Sequence, residues 1–191
     1  LAVDALLIAS GRQPATASLH PENAGIAVNE RGAIVVDKRL HTTADNIWAM
    51  GDVTGGLQFT YISLDDYRIV RDELLGEGKR STDDRKNVPY SVFMTPPLSR
   101  VGMTEEQARE SGADIQVVTL PVAAIPRARV MNDTRGVLKA IVDNKTQRML
   151  GASLLCVDSH EMINIVKMVM DAGLPYSILR DQIFTHPSMS E

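Results

Sequence analysis

Gly76–Asn87 reads Gly-Glu-Gly-Lys-Arg-Ser-Thr-Asp-Asp-Arg-Lys-Asn and contains no apolar side chain. Such a stretch has no face to bury and no hydrophobic period, so it reads as a connector. It divides the chain into two segments that must each find their own core. The boundaries expected from it are 1–80, a linker at 81–87, and 88–191. Gly78-Lys79 within it is not a phosphate loop, because the glycine such a loop needs at position 73 is a glutamate.

Upstream of the connector the pattern is α/β. Leu1–Ile8 reads as a strand ending near Gly11, and Gly32–Asp37 as a second strand. Ile47–Met50 is a short apolar run, hence a third, buried strand. A helix follows over Gln58–Leu75, with Ile62, Ile69 and Leu74 spaced to face inward. The third strand ends in Gly51-Asp52. Open α/β sheets bind ligands at the carboxyl ends of their strands, and a glycine lets a ligand come close. Asp52 there has the chemistry to accept hydrogen bonds from a sugar or ribitol hydroxyl. The helix start at Phe59, Thr60 and Tyr61 would aim N–H groups and a positive dipole end at an electron-rich ring or an anion. The alternative is a turn in which Gly51-Asp52 merely closes the strand. Arg12, beside Gly11, is placed for either a cofactor or a nearby acid.

Downstream the pattern becomes α+β. Tyr90–Met94 and Ile115–Val122 read as strands. Thr104 caps a helix running to Ser111, with Glu105, Glu106 and Gln107 in its first turn. Gly136–Val142 and Met149–Cys156 form a hairpin around Asp143-Asn144-Lys145-Thr146. Ser159–Ala172 is a helix stopped by Gly173, with Pro175 beyond. Its Met162, Ile163, Ile165, Val166, Met168, Val169 and Met170 offer more apolar surface than one small sheet needs, which predicts a dimer contact. Arg127 and Arg129 read as members of a solvated loop. His160-Glu161-Met162-Ile163-Asn164 begins like a zinc-protease helix, but Asn164 replaces the second histidine, so no metal site is expected.

The last residues are Phe184-Thr185-His186-Pro187-Ser188-Met189-Ser190-Glu191. Histidine titrates near neutral pH. A carboxylate bonded to one ring nitrogen fixes the tautomer and leaves the other nitrogen for proton transfer. His186 and Glu191 are therefore a candidate acid/base pair, the alternative being a surface turn with an incidental acid.

Formal net charge is −4 over 191 residues, which argues against nonspecific nucleic-acid binding. Cys156 is the single cysteine, so there is no disulfide framework implying secretion. It lies in an apolar run and is expected to be a buried structural thiol. Leu1–Ser10 lacks the basic and cleavage features of a signal peptide, and no run approaches the ~20 apolar residues of a membrane span. A cytoplasmic protein with no membrane partner is expected.

Four motifs, in order, resemble one family. Ile8-Ala9-Ser10-Gly11-Arg12-Gln13-Pro14 resembles a strand and turn leaving a nucleotide domain. Thr42–Gly56 resembles a second flavin-binding motif, Ser91–Glu105 the start of a dimerisation domain, and His186-Pro187 with Glu191 a catalytic dyad. The family is the pyridine nucleotide–disulfide oxidoreductases, and the wording is closest to its mercuric-reductase-like branch. The resemblance implies an α/β remnant of the NAD(P)- and FAD-binding domains in 1–80, then an α+β dimerisation domain in 88–191. It implies FAD and NAD(P)H as cofactors, a homodimer, and a small-molecule disulfide or metal-ion substrate. By the same resemblance Gly51 and Asp52 hold the ribitol, and Phe59, Thr60 and Tyr61 lie near the flavin's pyrimidine side. Arg12 borders that site. His186, oriented by Glu191, serves the thiols and reaches the flavin of the other subunit.

The family's glycine-rich turn and its cysteine pair are absent from these residues, so a fragment with a truncated C-terminus is expected. Mercuric reductases, by the resemblance, lack this histidine and carry an extra cysteine pair. His186 thus favours dithiol–disulfide chemistry, or metal reduction by another arrangement. A ferredoxin- or rubredoxin-type reductase shares the Gly-Asp motif but not the His-Pro…Glu ending. A noncatalytic dimerisation module is the alternative from another class.

Overall fold

The computed structural model describes residues 2–191. They divide into two units, one ending at Arg85 and one running from Lys86 to Glu191.

The first unit is built around helix α1 (Thr60–Leu75). The rest is 3-10 turns and loops, stitched by isolated bridges Val28↔Ile34 and His41↔Trp48. Burial follows the sequence only in part: Ala33, Ile34, Leu40 and Ala49 are buried, but Ile47 and Met50, in the run expected to be a buried strand, are exposed. The three expected strands, however, do not form. A strand is completed by its ladder, and these runs find only single bridging residues among the described chain. The run over residues 2–8 is exposed instead, with Leu6 at 79% and Leu7 at 88%; Leu1 lies outside the described residues. On α1, Ile62 and Ile69 face inward as expected, but Leu74 is exposed. The remaining inward place is taken by Asp66, only 2% exposed.

The connector is not featureless. Ser81 and Asp84 form a reciprocal capping box around a turn at Thr82–Asp84. Arg85 is held to α1 through Nε to Asp65 Oδ2 at 2.7 Å and through its guanidinium to Asp66. Charge pairing, which hydrophobic periodicity cannot report, docks this end of the segment.

The second unit is a five-stranded antiparallel sheet in the order β1-β2-β5-β4-β3. The strands are β1 (Tyr90–Val92), β2 (Leu98–Gly102), β3 (Ile115–Pro121), β4 (Val137–Asp143) and β5 (Met149–Leu155). Helix α2 (Glu105–Glu110) starts at Thr104, whose hydroxyl accepts from Gln107 N–H while Gln107 accepts from Thr104 N–H. Helix α4 (Ser159–Asp171) packs on the sheet. Val101, Val122, Ile125, Cys156, Ile163 and Met189 lie in the core between them. At the start of α4, buried Ser159 shares a 2.9 Å hydrogen bond with buried Ser99 on β2. The same hydroxyl lies 3.0 Å from the Pro97 carbonyl.

Strand β2 and two short helices escaped sequence reading. Helix α3 (Pro126–Val130) carries Arg127 and Arg129, so these are not loop residues. Arg129 Nε donates to the Ala123 carbonyl at 2.6 Å. Helix α5 (Ser177–Arg180) precedes the terminal segment. Neither is long enough to show a helical period. Among the described residues no helix is long and apolar enough to cross a membrane.

Candidate functional site

Each unit carries one cluster of the residues singled out above. In the first, Gly51 opens a 3-10 turn, Gly51–Thr54, with φ at +79°. An L side chain is strained there, and a Cβ would also sit 3.0 Å from Ser63 Oγ on α1. Glycine therefore lets the turn lie directly against the helix. Its N–H donates to Asp66 Oδ2 at 2.6 Å, and its carbonyl accepts from Thr54 Oγ1 at 2.9 Å. Asp52 follows, exposed, with its own carbonyl accepting from Gly55 N–H at 3.1 Å.

The Asp52 side chain pairs through Oδ2 with Arg12 Nη1 at 2.9 Å. Arg12 Nη2 also donates to the Gln58 carbonyl at 3.0 Å. Arg12 thus contacts an acid, one of its two expected partners, and ties Asp52 to the chain leading into α1. The pair is exposed, so its direct contribution to stability is about 0–1 kcal/mol. Asp52 Oδ1 has no partner among the described residues. At the start of α1 the N-cap residue Phe59 makes no side-chain cap, and its ring stacks on Tyr61 at 5.1 Å.

These features fit the sugar-alcohol and ring portions of a flavin. An exposed carboxylate with an uncommitted oxygen suits hydroxyl donors. A sixteen-residue helix without a side-chain cap presents its positive end to electron-rich atoms.

In the second unit His186 and Glu191 meet: Nδ1 lies 2.7 Å from Glu191 Oε2. A carboxylate can only accept in this contact, so Nδ1–H donates to it, and Nε2 has no partner among the described residues. The imidazole is exposed while Glu191's side chain is mostly covered. Between them, Met189 is buried in the core at 5% exposure, and the His186–Pro187 bond is cis. The loop is thus a hairpin-like excursion pinned at its centre by a thioether. An apolar cleft lined by Leu154, Met162, Val166, Phe184 and Glu191 opens beside it.

Cys156 is fully buried, and burial pushes its thiol pKa up to about 11, aided by the Asp158 charge. Its sulfur lies 3.8 Å from Met162 Sδ. It is a packing thiol without thiolate character near neutral pH. His160, at the start of α4, tilts against Phe93 at 5.5 Å.

Sequence reasoning missed Asp66, Arg85 and Met189. Asp66 had a signal: it stands at the i+4 place of the Ile62–Ile69 stripe, where a charged residue must be paired. Arg85 had none beyond its charge.

A sheet-based unit with a His-Pro…Glu excursion, preceded by a Gly-Asp turn against a helix, defines a class that the comparisons identify. Residues 1–66 match the pyridine nucleotide-disulphide oxidoreductase family, and residues 88–191 match its dimerisation domain. The chain belongs to the pyridine nucleotide-disulphide oxidoreductase family. The family that the four motifs resemble is therefore the one found, as is the α/β segment followed by a dimerisation domain.

Among solved structures, the chain is 99% identical to the HOCl-induced flavoprotein disulfide reductase RclA from Escherichia coli, solved as a Cu(II) complex, with a TM-score of 0.97. That match covers 100% of this chain and 43% of that one. The chain is 36% identical over 188 residues to a mercuric reductase of Staphylococcus aureus, covering 98% of this chain and 34% of that protein. It is 31% identical over 193 residues to a dihydrolipoyl dehydrogenase of Corynebacterium glutamicum, covering 100% of this chain and 41% of that protein. The chain therefore spans well under half the length of these relatives.

Proposed function

We propose that this chain is part of an enzyme that passes electrons from NAD(P)H through FAD and a cysteine pair outside these residues to a disulfide or metal-ion substrate. The flavin, when bound, supplies the electron-transfer chemistry. The chain's own residues bind, orient and move protons. Asp52 holds ribitol hydroxyls, Arg12 steadies Asp52, and the start of α1 at Phe59, Thr60 and Tyr61 faces the ring. The unit at 88–191 pairs two copies, so that the dyad of one serves the other.

The observation that carries the reading is the 2.7 Å contact between His186 Nδ1 and Glu191 Oε2. With the Nδ1 proton directed at the carboxylate, neutral His186 accepts a proton at Nε2 from an attacking thiol. The resulting imidazolium is stabilised by Glu191 and returns the proton to the departing sulfur. In that exchange one S–S bond breaks as another forms, and the proton moves from one sulfur to the other through Nε2. The same dyad favours dithiol–disulfide chemistry over metal reduction as its main work.

The test uses the 99%-identical Escherichia coli flavoprotein in stopped flow. His186→Ala is expected to leave flavin reduction by NAD(P)H unchanged and to slow the disulfide half-reaction by about 10²–10⁴-fold, the range of general acid/base catalysis. Disulfide reduction at the parent rate would show that the dyad is not the acid/base.

A further inference from the structure

Asp66 is the most buried ionisable group in the first unit, and burying a carboxylate is costly unless it is paired and hydrogen-bonded. Both conditions are met in an unusual direction. Arg85, from the end of the connector, provides the charge. The remaining hydrogen bond goes to the main chain at Gly51 N–H, 2.6 Å from Oδ2. Asp65 next to it completes the clamp on Arg85 at 2.7 Å and is itself bonded by Arg80 at 3.1 Å. Asp66 is thus the innermost of four linked charged side chains and the one that bonds the main chain at Gly51.

The Gly51 N–H belongs to the Met50–Gly51 peptide, so Asp66 acts one residue before Asp52, through the conformation of Gly51. Gly51 is held at its N–H by Asp66 and at its carbonyl by Thr54 Oγ1. The turn is closed by Gly55 N–H on the Asp52 carbonyl and crossed by Ile34 N–H on the Val53 carbonyl at 3.0 Å. With its flanking peptides held, the direction of the Asp52 Cα–Cβ bond is set, and the carboxylate is left only its side-chain rotamers. Without Asp66, the Gly51 N–H loses its one acceptor among the described residues, and a glycine at positive φ has broad freedom to rotate. The Arg12–Asp52 pair steadies the carboxylate only weakly, because both side chains are exposed and screened by solvent.

We propose that Asp66 is a positioning residue for Asp52: a buried carboxylate, neutralised by Arg85, that aims the exposed one by holding the Gly51 peptide. The inference rests on the flavin reading of Asp52. It adds that the connector, through Arg85, is part of the support for that site.

The experiment is a double-mutant cycle in the 99%-identical flavoprotein. FAD is stripped and its rebinding followed by flavin fluorescence, with the thermal midpoint of each flavin-free variant recorded alongside. Asp66→Ala is expected to weaken FAD binding about tenfold, the scale of losing a charge-assisted bond that orients a ligand group. In an Asp52→Ala background the same substitution should have no further effect, because nothing is left to aim. Asp66→Asn keeps an acceptor oxygen for Gly51 N–H and should recover most of the affinity.

A purely structural role would weaken binding equally in both backgrounds, whatever the flavin-free midpoint does, and that additivity would overturn the proposal. Unchanged FAD binding in Asp66→Ala, beside weakened binding in Asp52→Ala, would overturn it as well. Should Asp52→Ala itself bind FAD normally, the flavin reading of Asp52 fails first, and the proposal with it. Where Asp66→Ala does not accumulate as folded protein, the cycle is decided with Asp66→Asn. A loss of about threefold that vanishes beside Asp52→Ala supports the proposal, and any other outcome overturns it.

Discussion

Replacing Met189 with alanine tests whether the dyad loop is held by the core. Met189 is 5% exposed and packs with Val101, Cys156, Met162 and Ile163. Removing a buried methionine side chain to alanine costs about 2–5 kcal/mol, the transfer of its atoms plus the cavity left behind. The flanking His186 and Pro187 are exposed, so the segment can settle partly into the space. The lower part of that range, about 2–3 kcal/mol, is therefore expected. With a urea slope of about 1–3 kcal/mol/M, the unfolding midpoint of the second unit should fall by about 1 M.

The chain carries its own control for that measurement. Trp48 is the sole tryptophan and lies in the first unit, so its fluorescence transition should not move while the circular dichroism of the sheet unit does. Met189→Leu, similar in volume, should cost under about 1.5 kcal/mol. Met168→Ala is the reference for an exposed methionine, at 71% exposure, and should change little in a monomer. If Met189→Ala shifts the urea midpoint no more than Met168→Ala does, the loop is not anchored by this side chain. The His186–Glu191 geometry would then need another support.

Glu191→Gln should give a milder form of the His186→Ala defect, because the amide still orients the ring but stabilises its cation less; stopped-flow traces of the disulfide half-reaction compare them. Cys156 should resist thiol reagents at pH 8 in the folded chain and react only on unfolding, as a timed modification assay with and without urea will show. Its pKa is raised by burial, so the folded state holds the proton that the unfolded state loses; stability should therefore fall as pH rises from about 9 toward about 11. The second unit should self-associate through the apolar face that includes Met168 and through Ile183, which is 99% exposed; sedimentation showing only monomer at micromolar concentration would count against that.

The sheet unit was legible because its signals are local. Thr104 with Gln107, the turn at Asp143–Thr146 and the Gly173 stop each mark a boundary within a few residues. In the structure Asp143 Oδ1 accepts from Thr146 N–H at 2.7 Å and Gly173 adopts φ +64°. The first unit was legible in part in burial and not in form. Of the run expected to be buried, Ala49 is core while Ile47 and Met50 are exposed, because strand formation depends on partners that no single run contains. Hydropathy located some of what is hidden there, and only pairing could have said how.

The two clusters differed in the same way. His186, Pro187 and Glu191 lie within one short excursion, so their meeting was readable from spacing. The support of Asp52 is spread over Arg12, Asp66 and Arg85, joined by contacts across forty residues from Arg12 to Asp52 and nineteen from Asp66 to Arg85. Asp52 and Asp66 are the same residue type on neighbouring elements, with opposite surroundings. The exposed one keeps an oxygen for a ligand and is paired by an arginine that solvent screens. The buried one commits both oxygens to the protein, where losing a partner is costly. Exchange of charge for an amide should therefore act differently at the two places. At Asp52 an amide weakens the ligand contact and a solvent-screened pair with Arg12, whereas at Asp66 it leaves partly buried Arg85 to Asp65 alone. That asymmetry makes the lowered apo-protein midpoint a mark of Asp66 substitutions and not of Asp52 substitutions, even where both weaken flavin binding.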